Sequence, residues 1–204
     1  MKIILLLSLF ISSSCFSISN IEKGEKLAQQ CVACHGLKGN KIIANNPVLA
    51  GQHYKYLFKQ LTEFKLATSS QGKEGRSNPI MQGIVQNLST QDMKDLSMYF
   101  SKQKKITGFA SKEAIIIADS LYKGGDKTRG IVACLACHGP RGNGTSLTGF
   151  PRISGQNIEY TKQQLLSFKY DKRKNDMNGM MRTTVKNLTD EEISALASYL
   201  NGLY

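Results

Sequence analysis

The sequence of 204 residues has no long hydrophobic run beyond its first twenty residues, so nothing in the mature chain is expected to span a membrane. The apolar segment Ile3–Ile11 has about nine residues, whereas a helix needs roughly twenty to cross a bilayer. It follows Lys2 and precedes small polar residues, which is typical of a secretory signal peptide. We therefore predict a cleaved signal peptide at 1–19 and a mature protein in the periplasm. A lipid anchor on Cys15 is the alternative, although Ser12–Ser14 make a poor lipid-attachment sequence.

Cysteine is scarce, and every cysteine that remains after signal cleavage lies in one of two short motifs. The first motif is CVACHG at 31–36 and the second is CLACHG at 134–139. A disulfide framework, which is common in exported proteins, does not require a histidine directly after each cysteine pair. The pattern therefore indicates a different use of these four cysteines.

Acidic residues are few: 15 aspartates and glutamates stand against 27 lysines and arginines, which gives a formal net charge of +12. A basic surface can bind nucleic acid, but export argues against that partner. An acidic docking patch on a redox partner, or anionic lipid headgroups at a membrane surface, fits better. The candidate clusters are Lys102 with Lys104 and Lys105, and the run Lys172–Lys174. Each cluster is equally well explained as a solvated charged face.

Two copies of one pattern account for most of the mature chain. PVLAGQHYKYLFKQLTEFK at 47–65 aligns with PRISGQNIEYTKQQLLSFK at 151–169. A solenoid normally needs three or more stacked repeats, so two copies predict two similar domains. We place the domains at 20–104 and 105–204, with the boundary in the lysine-rich stretch 101–112.

Apolar residues recur at helical spacing in both halves, and very little of the chain alternates as a strand does. Each half ends in a segment in which Ser89-x-x-Asp92 or Thr189-x-x-Glu192 resembles a capping box before a buried stripe. The predicted fold class is therefore all-α. Domains of about 90 residues with short helices and long glycine-rich connections bury little apolar surface. We expect an apolar, bulky group to complete each core.

The motif C-x-x-C-H is typical of covalent c-type haem attachment. Two thiols three residues apart on one helical turn can each add to a vinyl group of the porphyrin, and the adjoining imidazole then reaches the iron. Two such motifs predict two haems. The residues predicted to attach them are Cys31, Cys34, Cys134 and Cys137, with His35 and His138 as iron ligands.

Paired cysteines have two other common uses in proteins. A bare C-x-x-C can be a redox dithiol, and four cysteines can hold one zinc ion. Both leave the adjacent histidines unexplained. A zinc cluster would also require the repeats to share one metal, whereas a duplication predicts a complete site in each copy.

Methionine supplies the candidates for the sixth position on each iron. Met81 and Met181 each lie seven residues before the leucine of the matched NLS and NLT segments, so they occupy one place in the repeat. In the second half Met177 and Met180 are alternative candidates for the iron ligand, and only the alignment of the two repeats favours Met181. His53 has no counterpart in the second half, and we expect it to be a surface residue.

The chain resembles the cytochrome c4 family of exported dihaem proteins, which are built from two class I cytochrome c domains in tandem. The likeness covers nearly all of the mature chain: both CxxCHG motifs, the matched AGQ and SGQ segments, and the methionine segments. It implies helical domains, each wrapped around one haem, with the first and last helices packed together. Carried over by position, His35 and Met81 would bind one iron, and His138 and Met181 the other.

The resemblance and the ligand set together indicate an electron carrier and not an enzyme. Two strong ligands on each iron leave no position for a substrate. The family implies a respiratory role, with electrons passing from a quinol-oxidising membrane complex to a terminal oxidase. The alternatives are a dihaem redox enzyme, such as a peroxidase or a sulfur-compound dehydrogenase, and a haem subunit of a larger oxidoreductase such as a flavocytochrome sulfide dehydrogenase.

Overall fold

The computed structural model describes residues 19–40, 43 and 45–203. The predicted signal peptide, apart from Ser19, lies outside the described residues, and so does Cys15. Among the helices that are described, none is both long enough and apolar enough to cross a bilayer.

The described residues form helices joined by irregular segments, with two isolated β-bridges, Asp126 to Ile131 and Thr145 to Phe150. This confirms the all-α prediction. In the first half the α-helices are α1 Ile21–Ala28, α2 Val32–His35, α3 Tyr54–Ser69, α4 Pro79–Val85 and α5 Thr90–Ser101. In the second half they are α6 Lys112–Gly124, α7 Leu135–His138, α8 Ile158–Lys169, α9 Met180–Val185 and α10 Asp190–Gly202. Short 3₁₀ turns at Gln29–Cys31 and Met177–Gly179 precede α2 and α9.

Each half packs its first helix against its last: α1 lies on α5, and α6 lies on α10. The longest middle helix covers the same last helix, α3 on α5 and α8 on α10. Two separate clusters of buried apolar side chains result, one drawn from residues up to Phe100 and the other from Ala114 onward. The chain therefore has two domains with separate cores, as expected for structures of this architecture.

Both sequence-predicted capping boxes are present at the start of the last helices. Ser89 Oγ accepts a hydrogen bond from the Asp92 N–H at 3.1 Å, and Asp92 Oδ2 accepts one from the Ser89 N–H at 3.0 Å. Thr189 and Glu192 repeat the exchange at 3.1 and 2.8 Å. These caps fix where α5 and α10 begin, and so fix the register of the methionine segments that precede them.

The segment that connects the domains hydrogen-bonds first to the first domain and, a few residues later, to the second domain. The Lys104 carbonyl accepts a hydrogen bond from Asn40 Nδ2 in the first domain at 2.7 Å. From Gly108 onward the backbone bonds to the second domain, where the Gly108 and Phe109 N–H groups donate to Asn201 at 3.2 and 3.0 Å. The boundary at 104 and 105 stays a prediction within this segment.

A reciprocal pair of glutamine contacts joins the two domains. Gln52 Nε2 donates to the Arg152 carbonyl at 2.7 Å, and Gln52 Oε1 accepts from the Arg152 N–H at 2.9 Å. Gln156 does the same to Val48, at 3.0 and 2.7 Å. Gln52 and Gln156 are repeat mates, and so are Val48 and Arg152. The domains therefore meet with approximate twofold symmetry.

Replacing one of these glutamines should weaken the joint. Gln156→Ala should lower the free energy of unfolding by about 1–3 kcal/mol, because the buried Val48 N–H and carbonyl lose their partner. Denaturant unfolding followed by circular dichroism measures this. Gln86→Ala, at an exposed position after α4, is the control and should change stability by less than about 0.5 kcal/mol. A Gln156→Ala unfolding curve that overlays the wild type would contradict the assignment.

Candidate haem sites

His35 ends the short helix α2 and is buried, with 6% of its surface exposed. Its ring Nδ1 lies 2.9 Å from the carbonyl oxygen of Pro47. Because a carbonyl only accepts, Nδ1 carries the proton, and Nε2 is left with a free lone pair. Burial holds the pKa of His35 below its usual value, and the Pro47 bond opposes that shift. A neutral imidazole oriented by its second nitrogen is the usual state of a metal-binding histidine.

The second domain repeats this arrangement. His138 ends α7, is 7% exposed, and has Nδ1 2.9 Å from the carbonyl oxygen of Pro151. Burial again lowers the pKa of the imidazole, against the opposing effect of the carbonyl contact. Pro47 and Pro151 are repeat mates. The chain thus orients two imidazoles in the same way, one in each domain.

The four motif cysteines are free thiols in this structure, with no disulfide between them. Burial raises the pKa of Cys31 to about 11 and that of Cys134 to about 11. Neither Cys31 nor Cys134 therefore has the lowered pKa that the attacking thiol of a redox dithiol needs. In the part of the chain that the structure describes, no three histidine, cysteine, aspartate or glutamate side chains come together to hold a metal ion. The four-cysteine zinc site is therefore not formed.

Met81 and Met181 lie in equivalent places. Met81 is half-buried on α4, and its N–H donates to the N-cap residue Asn78 at 3.0 Å. Met181 is half-buried on α9, and each of the two methionines packs against the buried core of its own domain. One turn later Val85 and Val185 are buried to 0% and 2% exposure. The two methionines that the sequence repeat pairs therefore also occupy equivalent positions on their helices.

The two competing methionines of the second domain are more exposed. Met177 is 54% exposed and Met180 is 37% exposed, and neither packs against the core as Met181 does. The turn that leads into α9 differs from its counterpart before α4, because Asn178 and Gly179 adopt left-handed conformations with φ of 52° and 70°. Arg182 holds this turn by donating to Asp176 Oδ1 at 2.9 Å.

One of the two expectations about surface residues needs correction. His53 is partly exposed, and its Nε2 lies 2.7 Å from the Asn143 carbonyl at the domain junction. In the candidate docking run Lys172–Lys174 the middle residue, Arg173, is only 8% exposed. Its guanidinium contacts Tyr56 and Gln60 of the other domain. Lys172 and Lys174 are exposed.

Sequence analysis missed several polar residues beside the sites. The carbonyls of Pro47 and Pro151 orient the imidazoles, and a matched proline after each CxxCH motif was the available signal. Arg76 and Arg173 occupy equivalent positions, each with its guanidinium over a phenylalanine ring, at 4.8 Å from Phe64 and 4.5 Å from Phe168. Their spacing from the aligned segments differs between the halves, so the sequence repeat does not pair them.

These residues fit a covalent haem in each domain. Each site brings together two thiols and a buried, neutral imidazole whose Nδ1 is already bonded. A thioether in the repeat-equivalent position belongs to the same apolar core. The donors are those that c-type haem uses for attachment and ligation.

Comparison with known proteins gives the same result. Residues 21–104 and 123–203 each match the Cytochrome c family. Cytochrome c4 of Azotobacter vinelandii is 37% identical over 203 residues, which cover 98% of this chain and 97% of that protein. The crystal structure of reduced recombinant cytochrome c4 from Pseudomonas stutzeri superposes with a TM-score of 0.89 at 38% identity, over 92% of this chain and 100% of that one.

Another similar protein is named for the enzyme from which it accepts electrons. The thiosulfate dehydrogenase electron acceptor of Thiomonas intermedia is 34% identical over 181 residues, covering 85% of this chain and 78% of that protein. The near-complete matches in sequence and in structure share the tandem arrangement seen here. The chain belongs to the cytochrome c4 family: it is an electron-transfer protein of two cytochrome c domains, each with one covalent c-type haem.

Proposed function

We propose that this chain is a periplasmic carrier that accepts electrons from a quinol-oxidising membrane complex and delivers them to a terminal oxidase. The proposed ligands are His35 and Met81 on one iron and His138 and Met181 on the other. The observation that carries the assignment is the repetition of one geometry in both domains. In each, a histidine Nδ1 lies 2.9 Å from a proline carbonyl, and a half-buried methionine precedes a buried valine by one turn.

The residues of the chain have separate tasks in this proposal. The haem, when bound, supplies a one-electron couple. Cys31, Cys34, Cys134 and Cys137 anchor it as thioethers, which also removes the reactive thiols. The histidines bind iron in either oxidation state, while the soft methionine sulfur favours the ferrous state and raises the reduction potential relative to a second histidine. With both axial positions filled, no position is left for a substrate.

Two alternatives differ from the free carrier in what they predict. A dihaem redox enzyme predicts one high-spin iron that binds cyanide or carbon monoxide without losing methionine. A haem subunit of a larger oxidoreductase, such as a flavocytochrome sulfide dehydrogenase, predicts co-purification with its partner. The relative from Thiomonas intermedia supports one variant of the carrier, in which a sulfur-compound dehydrogenase is the electron donor.

The basic charge of the chain, +12, favours acidic docking surfaces on its partners, with peripheral association at an anionic membrane as a second contact. Lys102 and Lys104 are exposed in the segment between the domains. Electrostatic steering speeds the encounter of such surfaces and weakens with salt.

The test is electron transfer to and from respiratory membranes. Reduced protein mixed with membranes that contain a terminal oxidase should be oxidised rapidly at low salt, and quinol with the quinol-oxidising complex should reduce it again. The double variant Lys102→Glu, Lys104→Glu should slow these reactions about tenfold at low salt. Stopped-flow absorbance measures the rates.

A matched control separates docking from total charge. Lys127→Glu with Lys186→Glu makes the same charge change at two exposed positions of the second domain and should have a smaller effect. Equal slowing by both double variants would show that Lys102 and Lys104 belong to a merely solvated face. Failure of either membrane complex to exchange electrons with the wild type would overturn the proposed partners.

A further inference from the structure

Asp95 is a buried carboxylate, 0% exposed, where α1 crosses α5. Its Oδ1 accepts hydrogen bonds from the Asn20 N–H at 2.8 Å and from Gln91 Nε2 at 2.7 Å. Its Oδ2 accepts none from the part of the chain that the structure describes. The Lys23 ammonium lies 3.8 Å from Oδ2, too far to donate, and contacts Asp92 Oδ1 at 2.8 Å. A buried carboxylate is costly unless a cation and hydrogen bonds compensate it, so Asp95 has a place for a further charged donor.

The start of α1 places the Asn20 nitrogen beside this carboxylate. Asn20 is the N-cap residue: its Oδ1 accepts from the Lys23 N–H at 3.0 Å, and its carbonyl accepts from the Gly24 N–H at 3.0 Å. Gly24 lets the two helices approach closely, since a Cβ built there would be 2.3 Å from the Asp95 carbonyl oxygen. These contacts involve Asn20 and residues after it. They therefore persist in a chain that begins at Asn20.

The second domain uses a neutral partner at the corresponding point. The N-cap residue of α6 is Ser111, and its N–H donates to the hydroxyl of Ser198 on α10 at 3.3 Å. Ala195 stands where the alignment of the two repeats pairs it with Asp95. Ser111 continues from the segment between the domains, so its nitrogen is an uncharged amide. The carboxylate is present in the half whose first helix follows the predicted cleavage site.

Cleavage after Ser19 changes the chemistry of the Asn20 nitrogen. Hydrolysis breaks the bond between the Ser19 carbonyl carbon and this nitrogen, and water supplies a hydroxyl group to the carbon and a hydrogen to the nitrogen. At neutral pH the new amine takes up a proton and the new carboxylic acid releases one. One amide N–H thus becomes an ammonium with three donors. The helix dipole disfavours a cation at a helix N-terminus, so this ammonium needs a carboxylate nearby, and Asp95 supplies it.

We infer that removal of the signal peptide creates a buried ion pair between the Asn20 α-ammonium and the Asp95 carboxylate, which stabilises the packing of α1 on α5. The inference rests on the proposed function, because only an exported chain loses its signal peptide. The precursor keeps one neutral N–H on Asp95, whereas the mature chain places a positive charge there. Because the carboxylate is shielded from water, this pair contributes more than an exposed one.

The experiment compares two holoproteins that differ by one residue at the N-terminus. Both are exported behind the same efficiently cleaved signal sequence; one begins at Asn20 and the other at Ser19. Amide hydrogen exchange in α1 and α5 should be about tenfold faster in the chain that begins at Ser19, because the Asn20 nitrogen is again a neutral amide. Exchange in α6 and α10 should be unchanged. Mass spectrometry of the wild-type mature protein should show a chain that begins at Asn20.

Asp95→Asn in both chains completes a double-mutant cycle. It should speed exchange in α1 and α5 about tenfold more in the chain that begins at Asn20, because only that chain loses a charge pair. Glu22→Gln removes one exposed carboxylate from the first turn of α1 and is the matched control. Its effect should be the same in both chains to within about twofold.

Equal exchange rates in the chains that begin at Asn20 and at Ser19 would overturn the ion pair, and this comparison decides alone if Asp95→Asn fails to fold. A wild-type mature chain that begins at another residue would also overturn it, while leaving export and the proposed function intact. A wild-type chain that keeps residues 1–19 and stays in the cytoplasm would instead contradict the proposed function.

Discussion

Met81→Ala should remove about half of the weak red absorption band of the oxidised protein, and Met181→Ala should remove the other half, because the proposed ligand set gives each haem one methionine sulfur to lose. The reduction potential of the affected haem should fall by on the order of 0.1 V or more, since axial ligands set haem potentials over about 0.8 V. The vacated iron should then bind cyanide or carbon monoxide. Optical titration under controlled potential measures both effects.

Met180→Ala is the control for this assignment. Met180 is the neighbour of Met181 but is 37% exposed and does not pack against the core. Its replacement should leave the band and both potentials unchanged. A band that survives in Met181→Ala but disappears in Met180→Ala would transfer the ligand to Met180. A band that survives in Met81→Ala would remove Met81 from the first site.

Gly24→Ala should give a large loss of stability in the first domain. Gly24 lies where α1 crosses α5, and a Cβ built there would be 2.3 Å from the Asp95 carbonyl oxygen and 2.9 Å from Tyr99 Cβ. The helices must separate to admit it, and overpacking of this kind costs about 1–3 kcal/mol or more, against a gain of about 1 kcal/mol in helix propensity. We expect a net loss of about 2 kcal/mol and a fall of about 10 °C in the melting temperature of that domain.

Gly83→Ala is the matched control for this clash. Gly83 is exposed on α4, nothing lies within 4 Å of its Cβ position, and the equivalent residue in the second half is Thr183. The change should leave the melting temperature the same or raise it slightly, because alanine favours the helix. Scanning calorimetry of both variants measures the difference. Equal melting temperatures for Gly24→Ala and Gly83→Ala would contradict the close helix crossing.

The sequence was enough to predict the parts of the fold that repeat in register. The two CxxCH motifs, the capping boxes at Ser89 and Thr189, and the spacing of Met81 and Met181 are local patterns with a fixed geometry. The pairing of the methionines in space follows because the same number of residues separates each from a buried leucine and a helix cap. Such patterns need no knowledge of the other domain.

The joint between the domains was not predictable in this way. Its contacts connect residues about 100 positions apart, such as Gln52 with Arg152, and they use polar groups that single-sequence patterns assign to the surface. Arg173 illustrates the limit: in sequence it is the middle of an exposed basic run, whereas in the structure it is buried against the other domain. The contact of His53 with Asn143 was not predictable for the same reason, because it joins residues 90 positions apart.

The glutamine contacts of the joint have a consequence for how the two halves of a duplicated gene can diverge. Across the joint, Gln52 and Gln156 bond to main-chain atoms of Arg152 and Val48, so the side chains at positions 48 and 152 take no part in the exchange. An aliphatic residue and an arginine therefore occupy mate positions without any change in the contact. Substitutions at positions 48 and 152 can therefore change the side chain in one half without changing the hydrogen bonds that orient the two domains.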